Sequence, residues 1–293
     1  MITRREFLSA LPAGAITAAI SARAQAAPLP VRIGCQTNAW RIDPADFNQV
    51  LDVLGKLKSM GFDGYETGFR NIQGQFKNAA AARRQLERTG LQFFATHIFL
   101  EQYDPQTRIA PMELVRAVTD GASTLGAQRL ILSGGGLLQE GKIDPDALRR
   151  KADGLNAAGR YCRSKGLKLA YHNHGPEFAR NGLEIEGLYR LTDSALVDFV
   201  VDCGWASRSG ADVTAFFKRH HRRIVGLHIR DFKADTQVPL GQGDFPLATL
   251  AAEIKRVKWP GWAINEEERL SGEKPGESAV APARESLRRA LGR

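Results

Sequence analysis

LKLAYHNHGPEF, residues 167–178, opens with a short apolar run and closes with two histidines, an asparagine and a glutamate. Read as a strand ending near His172, it alternates its side chains, so His172 and His174 leave on one face while Tyr171 and Asn173 take the other. An apolar strand running out into a polar end is the unit that recurs along the chain. Upstream stand VRIGCQ, FDGYE, LQFFATH and RLILSG; downstream stand LVDFVVD, RIVGLHI and WAINE. Between them lie longer segments with apolar residues at helical spacing, among them DFNQVLDVLGKLKSM, MELVRAVTDGASTLG and DPDALRRKADGLNAAGRYCRSKG. Eight such pairs predict a parallel sheet with right-handed crossovers, closed into a single (β/α)8 TIM barrel. An open doubly wound sheet would carry a Gly-rich phosphate loop after its first strand, where this chain reads TNAWRIDP. SGGG at 133–136 lacks the GxGxxG spacing and a P-loop lysine, and reads as a flexible loop top.

The 293 residues are 43% apolar and 25% charged, an ordinary globular balance with no sign of a fibre or a disordered chain. A formal charge of +9 raises the question of nucleic acid, but the basic residues are dispersed. The one dense run, KRHHRR at 218–223, reads as a solvated helix end, so no nucleic-acid partner is expected. Residues 1–27 stand apart. Arg4-Arg5, an apolar and small-residue stretch from Phe7 to Ile20 and then Ala24-Gln25-Ala26 resemble a twin-arginine-type signal peptide with its cleavage site. The stretch is too short and too rich in small residues for a membrane span. The expectation is a periplasmic protein, with the barrel over residues 28–293 as its one domain and no membrane contact after cleavage. Cys35, Cys162 and Cys203 are odd in number and lack CxxC spacing, which argues for buried thiols over a disulfide framework.

In a (β/α)8 barrel the chemistry sits where strands end and loops begin. The strand ends supply Asn38 and Trp40, then Glu66, then His97. Strand five supplies His172, His174 and Glu177, and strand six Asp202 and Trp205. His228, Arg230, Asp231 and Lys233 follow strand seven, and Glu266 with Glu267 and Glu268 follows strand eight. Four of the six histidines fall at these ends. Imidazoles and carboxylates converging on one barrel mouth repel or stay uncharged unless a cation compensates them. Asp, Glu and His donors without a thiolate suit Mn, Mg, Co or Zn, with Mn favoured.

YHNHGPEF, VDCGWASRSGAD, LHIRDFK, PLGQGDF and WAINEEE, with GYETG and ATHIF at earlier strand ends, resemble the sugar phosphate isomerase/epimerase superfamily of xylose isomerase-like barrels over essentially the whole chain after the leader. The resemblance implies one divalent metal held by a glutamate from strand five, an aspartate from strand six, a histidine from strand seven and a glutamate from strand eight. Asp202, His228 and Glu266 match the last three. At strand five the chain departs from the common Glu-Asn-His triplet and reads His172-Asn173-His174, so either Glu177 or His172 supplies the ligand; Glu177 is the expectation. Glu66, His97, His172 and His174 become candidates for base, acid or hydroxyl recognition, and Arg230 or Lys233 for oxyanion stabilisation. Trp40 and Trp205 become walls against a sugar face, and Glu267 and Glu268 a solvated loop.

The implied activity is a metal-dependent sugar isomerase/epimerase that takes a proton from the carbon beside a carbonyl. The expected substrate is a small unphosphorylated sugar or sugar derivative, bound by a monomer or a homo-oligomer. Two alternatives stay open: a periplasmic lyase or hydratase acting on 3-keto-glycosides by β-elimination, and a non-catalytic sugar-binding barrel. The superfamily also has a DNA-repair endonuclease branch, which needs more histidine and carboxylate ligands than this chain provides.

Overall fold

The computed structural model describes residues 30–269 and 271–293, so the export-signal reading lies outside the described residues. Ten strands run in chain order: β1 Arg32–Gln36, β2 Gly64–Gly68, β3 Gln92–Ile98, β4 Arg129–Ser133, β5 Lys168–His172, β6 Val197–Asp202, β7 Ile224–Ile229, β8 Asp231–Lys233, β9 Thr236–Val238 and β10 Trp262–Asn265. All eight sequence-predicted strands are present, and β1 to β7 with β10 close into one parallel barrel in the order β1-β10-β7-β6-β5-β4-β3-β2. Nine helices are described: α1 Phe47–Ser59, α2 Ala79–Arg88, α3 Met112–Leu125, α4 Pro145–Ser164, α5 Gly175–Leu191, α6 Cys203–Arg208, α7 Val213–His220, α8 Leu247–Arg256 and α9 Glu277–Leu291. No described helix is long and apolar enough to cross a membrane.

Two features escaped the periodicity. LHIRDFK is not one strand: β7 stops at Ile229, and Asp231–Lys233 turns away to pair antiparallel with β9. α5 is broken after Phe178, with Arg180, Asn181 and Gly182 all at positive φ. Left-handed backbone costs roughly 1–2 kcal/mol at each non-glycine residue, so the surrounding structure must hold this break in place.

Helical spacing buries one stripe of each helix against the barrel's outer face, as with Val50, Val53, Leu54 and Leu57 of α1. The three cysteines are free and buried, as their number and spacing suggested. Inside the barrel Phe94, Ala95, Ile131, Ala170, Val200, Trp262 and Ile264 form a separate apolar plug. Trp262 lies at the N-terminal end of the barrel, where glycines make room for its ring. A β-carbon on Gly64 would lie 2.5 Å from the Gln92 carbonyl oxygen and 2.6 Å from the indole. Gly64→Ala should therefore lower stability by roughly 1–3 kcal/mol, read from denaturant midpoints at unchanged m-value.

Two register slips set which residues face inward above the plug. Tyr65 pairs with Phe93 and Glu66 with Ala95, so β3 carries an extra residue at Phe94. β7 carries one at Val225 in the same way. Because strand side chains alternate, a one-residue slip reverses the faces that follow. Phe94 and Ala95 both enter the plug, and His97 then comes inward.

Candidate active site

Alternation brings a ring of polar residues to the C-terminal end of the barrel: Glu66, His97, Ser133, His172, Asp202 and His228, with Glu266 immediately after β10. All are buried. His172, Asp202, His228 and Glu266 each offer one donor atom, and these atoms lie within 4.8 Å of one another. Asp202 is fixed on two sides. As N-cap of α6 its Oδ1 accepts from the Trp205 backbone N–H at 2.8 Å. Asn173, the residue just beyond β5, accepts from the Asp202 N–H through Oδ1 at 3.0 Å. That leaves Asp202 Oδ2 and His172 Nδ1 buried with no hydrogen-bond partner among the described residues. Buried polar atoms of this kind are ordinarily satisfied, and two imidazoles with two carboxylates at this spacing fit a divalent cation that displaces a proton from His228 as it binds.

His228 is clasped on both nitrogens, 2.7 Å from Glu66 Oε2 through Nε2 and 2.8 Å from Glu266 Oε2 through Nδ1. Burial, the largest single influence, pushes this imidazole down, but Glu66 and Glu266 together outweigh it and lift it to about 10. Burial holds the Asp202 carboxyl up at about 6 against the pull of Arg230. Glu266 is well below the usual range, because Arg230 and His228 outweigh its burial. Arg230 pairs with both carboxylates, its Nε 3.1 Å from Asp202 Oδ2 and its terminal nitrogen on Glu266. Burial also depresses His172 strongly and His174 to about 4, which leaves both neutral near pH 7.

Over the cluster opens a cavity of about 480 Å³ whose walls include Asn38, Phe99, His174, Trp205, Glu268 and Arg269. His174 stands 5.1 Å from the His172 ring and 5.5 Å from that of Phe99, centroid to centroid. Phe99 is 51% exposed.

The structure brings His97, His172, His174, Asp202, His228, Arg230 and Glu266 together, and corrects five expectations. Glu177 is not at the cluster. It is the third residue of α5 and turns behind β5, where Oε1 accepts from the Tyr171 hydroxyl at 2.6 Å and Oε2 from the His174 N–H at 3.1 Å; His172 occupies the strand-five position instead. Lys233 is exposed in β8, because the hairpin carries it away from the mouth. Glu66 does not face the cavity; it is wedged between His97 and His228 and orients the latter. Glu267 is buried, accepting from the Leu240 N–H and pairing with Arg269. Trp205 lines the cavity, whereas Trp40 packs beside Gly276.

Ser133, Asn173 and Phe99 were missed. Ser133 donates to or accepts from His97 Nε2 at 2.7 Å, and strand parity in RLILS, which puts Ser133 on the face of Ile131, was the signal that marked it. Outer partners of metal-bound histidines typically carry 10–100-fold of affinity. Glu66→Gln should weaken Mn binding by about that factor, read by calorimetric titration of the metal-free protein.

Residues 54–290 match the model of the xylose isomerase-like TIM barrel family. This chain belongs to that family. Among curated proteins similar to this chain, the inosose dehydratase of Clostridium beijerinckii is 26% identical over 214 residues, covering 68% of this chain and 69% of its own. Among solved structures of similar fold is a sugar phosphate isomerase/epimerase from Parabacteroides distasonis, with a TM-score of 0.68 at 19% identity, covering 90% of this chain and 97% of its own. Another is a probable 3-DHS dehydratase from Bacillus anthracis, with a TM-score of 0.70 at 12% identity, covering 88% and 98%. Identities this low carry the fold alone, so within the xylose isomerase-like family the reaction must be argued from the site.

Proposed function

We propose that this chain is a divalent-metal-dependent lyase that removes the proton beside a carbonyl of an unphosphorylated sugar or cyclic polyol and expels a group from the next carbon. The observation that carries the reading is the four-donor cluster with neutral His174 standing over it at the cavity wall. When bound, the cation polarises the carbonyl and makes the adjacent carbon acidic. His174, uncharged near pH 7, takes the proton. Asp202 is held by its cap and by Asn173, and His228 by Glu66, so donor positions are set before substrate arrives. Plug residues close the site from beneath, and Trp205 and Phe99 offer apolar surface to a ring.

Charge favours a neutral substrate. The cavity's two arginines are engaged, Arg230 with Asp202 and Glu266 and Arg269 with Glu267, so the described walls offer a phosphate no unpaired cation. The dehydratase names among the curated relatives are in line with elimination. One observation favours the isomerase/epimerase reading. Glu268, beyond β10, and His174, beyond β5, both line the cavity with two strands between them in the barrel order, which gives the site a second group able to deliver a proton.

The test is proton NMR of Mn-loaded protein incubated in heavy water with inososes, free ketoses and 3-keto-glucosides, quenched with a chelator before recording. Loss of water or aglycone with an unsaturated product supports the lyase. Deuterium beside the carbonyl with the skeleton intact moves the assignment to isomerase or epimerase. No change relative to Asp202→Ala rejects both and leaves a binding barrel. The reading also places the protein in the periplasm, on the strength of the Arg4-Arg5 leader; cell fractionation of strains with Arg4 and Arg5 replaced by lysine checks it, with loss of the periplasmic pool expected.

A further inference from the structure

Behind strand five lies a second charged cluster that the reaction does not use. Lys151, in the middle of α4, is fully buried. Its Nζ lies 2.5 Å from Glu184 Oε1 and 3.9 Å from Glu177 Oε1, donates to the Gly135 carbonyl at 3.0 Å and stands 4.9 Å from the Tyr171 ring centroid. Glu184 Oε2 accepts from the Leu137 N–H at 2.8 Å. The two glutamates belong to α5 but to opposite sides of its break, whose residues 180–182 are left-handed. One buried cation thus gathers two carboxylates across a strained turn and ties both to the loop after β4. Glu177 is also the group that receives the His174 N–H.

We propose that Lys151 is a positioning residue for the cavity: by compensating Glu177 and Glu184 together it keeps Glu177 on the His174 backbone and so fixes where the His174 imidazole stands. Two buried carboxylates sharing one cation repel each other when that cation is removed. Where both stay charged, Glu177 relaxes by releasing its hydrogen-bond donors, His174 N–H among them; uptake of a proton by Glu184 is the competing relief, and it would leave the His174 signals unchanged. Lys151 touches neither cavity nor cluster, so its removal leaves the four metal donors in place. The proposal rests on the reading of His174 as the base only for its kinetic consequence, and its structural consequence can be measured without substrate.

The experiment compares the full chain with Lys151→Met and with Lys151→Met/Glu184→Gln, which removes one of the two stranded charges and keeps an acceptor for Leu137. Amide exchange at His174 and the His174 ring signals, assigned against His174→Gln, are recorded on metal-free protein, together with Mn affinity. Lys151→Met should exchange the His174 amide about 100-fold faster and shift its ring signals, while β5 amides Leu169 and Tyr171 keep their protection. The double variant should restore both. With a turned-over substrate in hand, kcat should fall about 10-fold or more in Lys151→Met with KM and Mn affinity within about two-fold, and recover in the double variant. Unchanged His174 signals in Lys151→Met would overturn the proposal. So would loss of β5 protection that the double variant fails to restore, which is the signature of packing alone. Displaced His174 signals with no turnover by any chain would leave the positioning role standing and count against the proposed reaction instead.

Discussion

Asp202→Ala should lower Mn affinity by at least about 100-fold, the scale that outer partners alone reach, and remove turnover with it. Three functions meet at this side chain. Oδ2 belongs to the four-donor cluster and is ion-paired with Arg230 Nε, and Oδ1 caps α6, so metal ligation, charge pairing and capping all meet here. Cap loss alone costs about 1 kcal/mol, so Asp202→Asn, which keeps an oxygen for the Trp205 N–H, separates metal loss from unfolding. The two variants should lose Mn alike while the asparagine variant keeps its circular dichroism. The sign of the stability change is fixed by the raised carboxyl, at about 6 in the metal-free fold. An acid whose folded pKa lies above its unfolded value near 4 costs stability as pH rises between the two. Above about pH 7 the metal-free Asp202→Asn protein should accordingly melt no lower than its parent. A fall of several degrees would mean that the Arg230 pairing outweighs burial. Metal addition should raise the parent's melting temperature and leave the variant's unchanged.

His174→Gln should reduce kcat by about 100- to 10,000-fold, the range of a positioned general base, with KM and Mn affinity nearly unchanged. Glutamine keeps a polar side chain at the cavity wall and leaves the backbone N–H for Glu177, so the loss isolates proton transfer. The neutral state follows from burial, which holds this imidazole near 4. Its kcat should therefore show no loss between about pH 8 and pH 6 from protonation of His174, and should fall only as pH approaches 4. A variant with unchanged kcat would transfer the base role to Glu268, and Glu268→Gln would then carry the loss.

The barrel was legible because its signal is repeated eight times, and each apolar strand announces its own polar end. Asp202, His228 and Glu266 were legible for the same reason: each closes a strand pattern. What failed was local. Glu177 sits five residues beyond His172, where periodicity of 2 has already given way to a helical turn, and nothing in GPEF says that the turn carries its carboxylate behind the strand. Lys233 was lost to the β8–β9 hairpin, at whose base Asp231 accepts from the N–H groups of Gly241, Gly243 and Phe245 in the following loop. The register slip at Phe94 is likewise invisible in LQFFATH, yet it turns His97 inward. Buried charge pairs such as Lys151 with Glu184 unite residues 33 apart in sequence, and no short pattern contains both.

The apolar plug also governs traffic. With Trp262 and its neighbours filling the barrel from below, whatever reaches the polar ring enters through the loops above it and departs by the same opening. Substrate and product then share one doorway, so the product released last should compete with substrate and hold the next molecule outside. An intermediate has no rear exit toward another enzyme. Anything passed onward must first be released to solvent at the front.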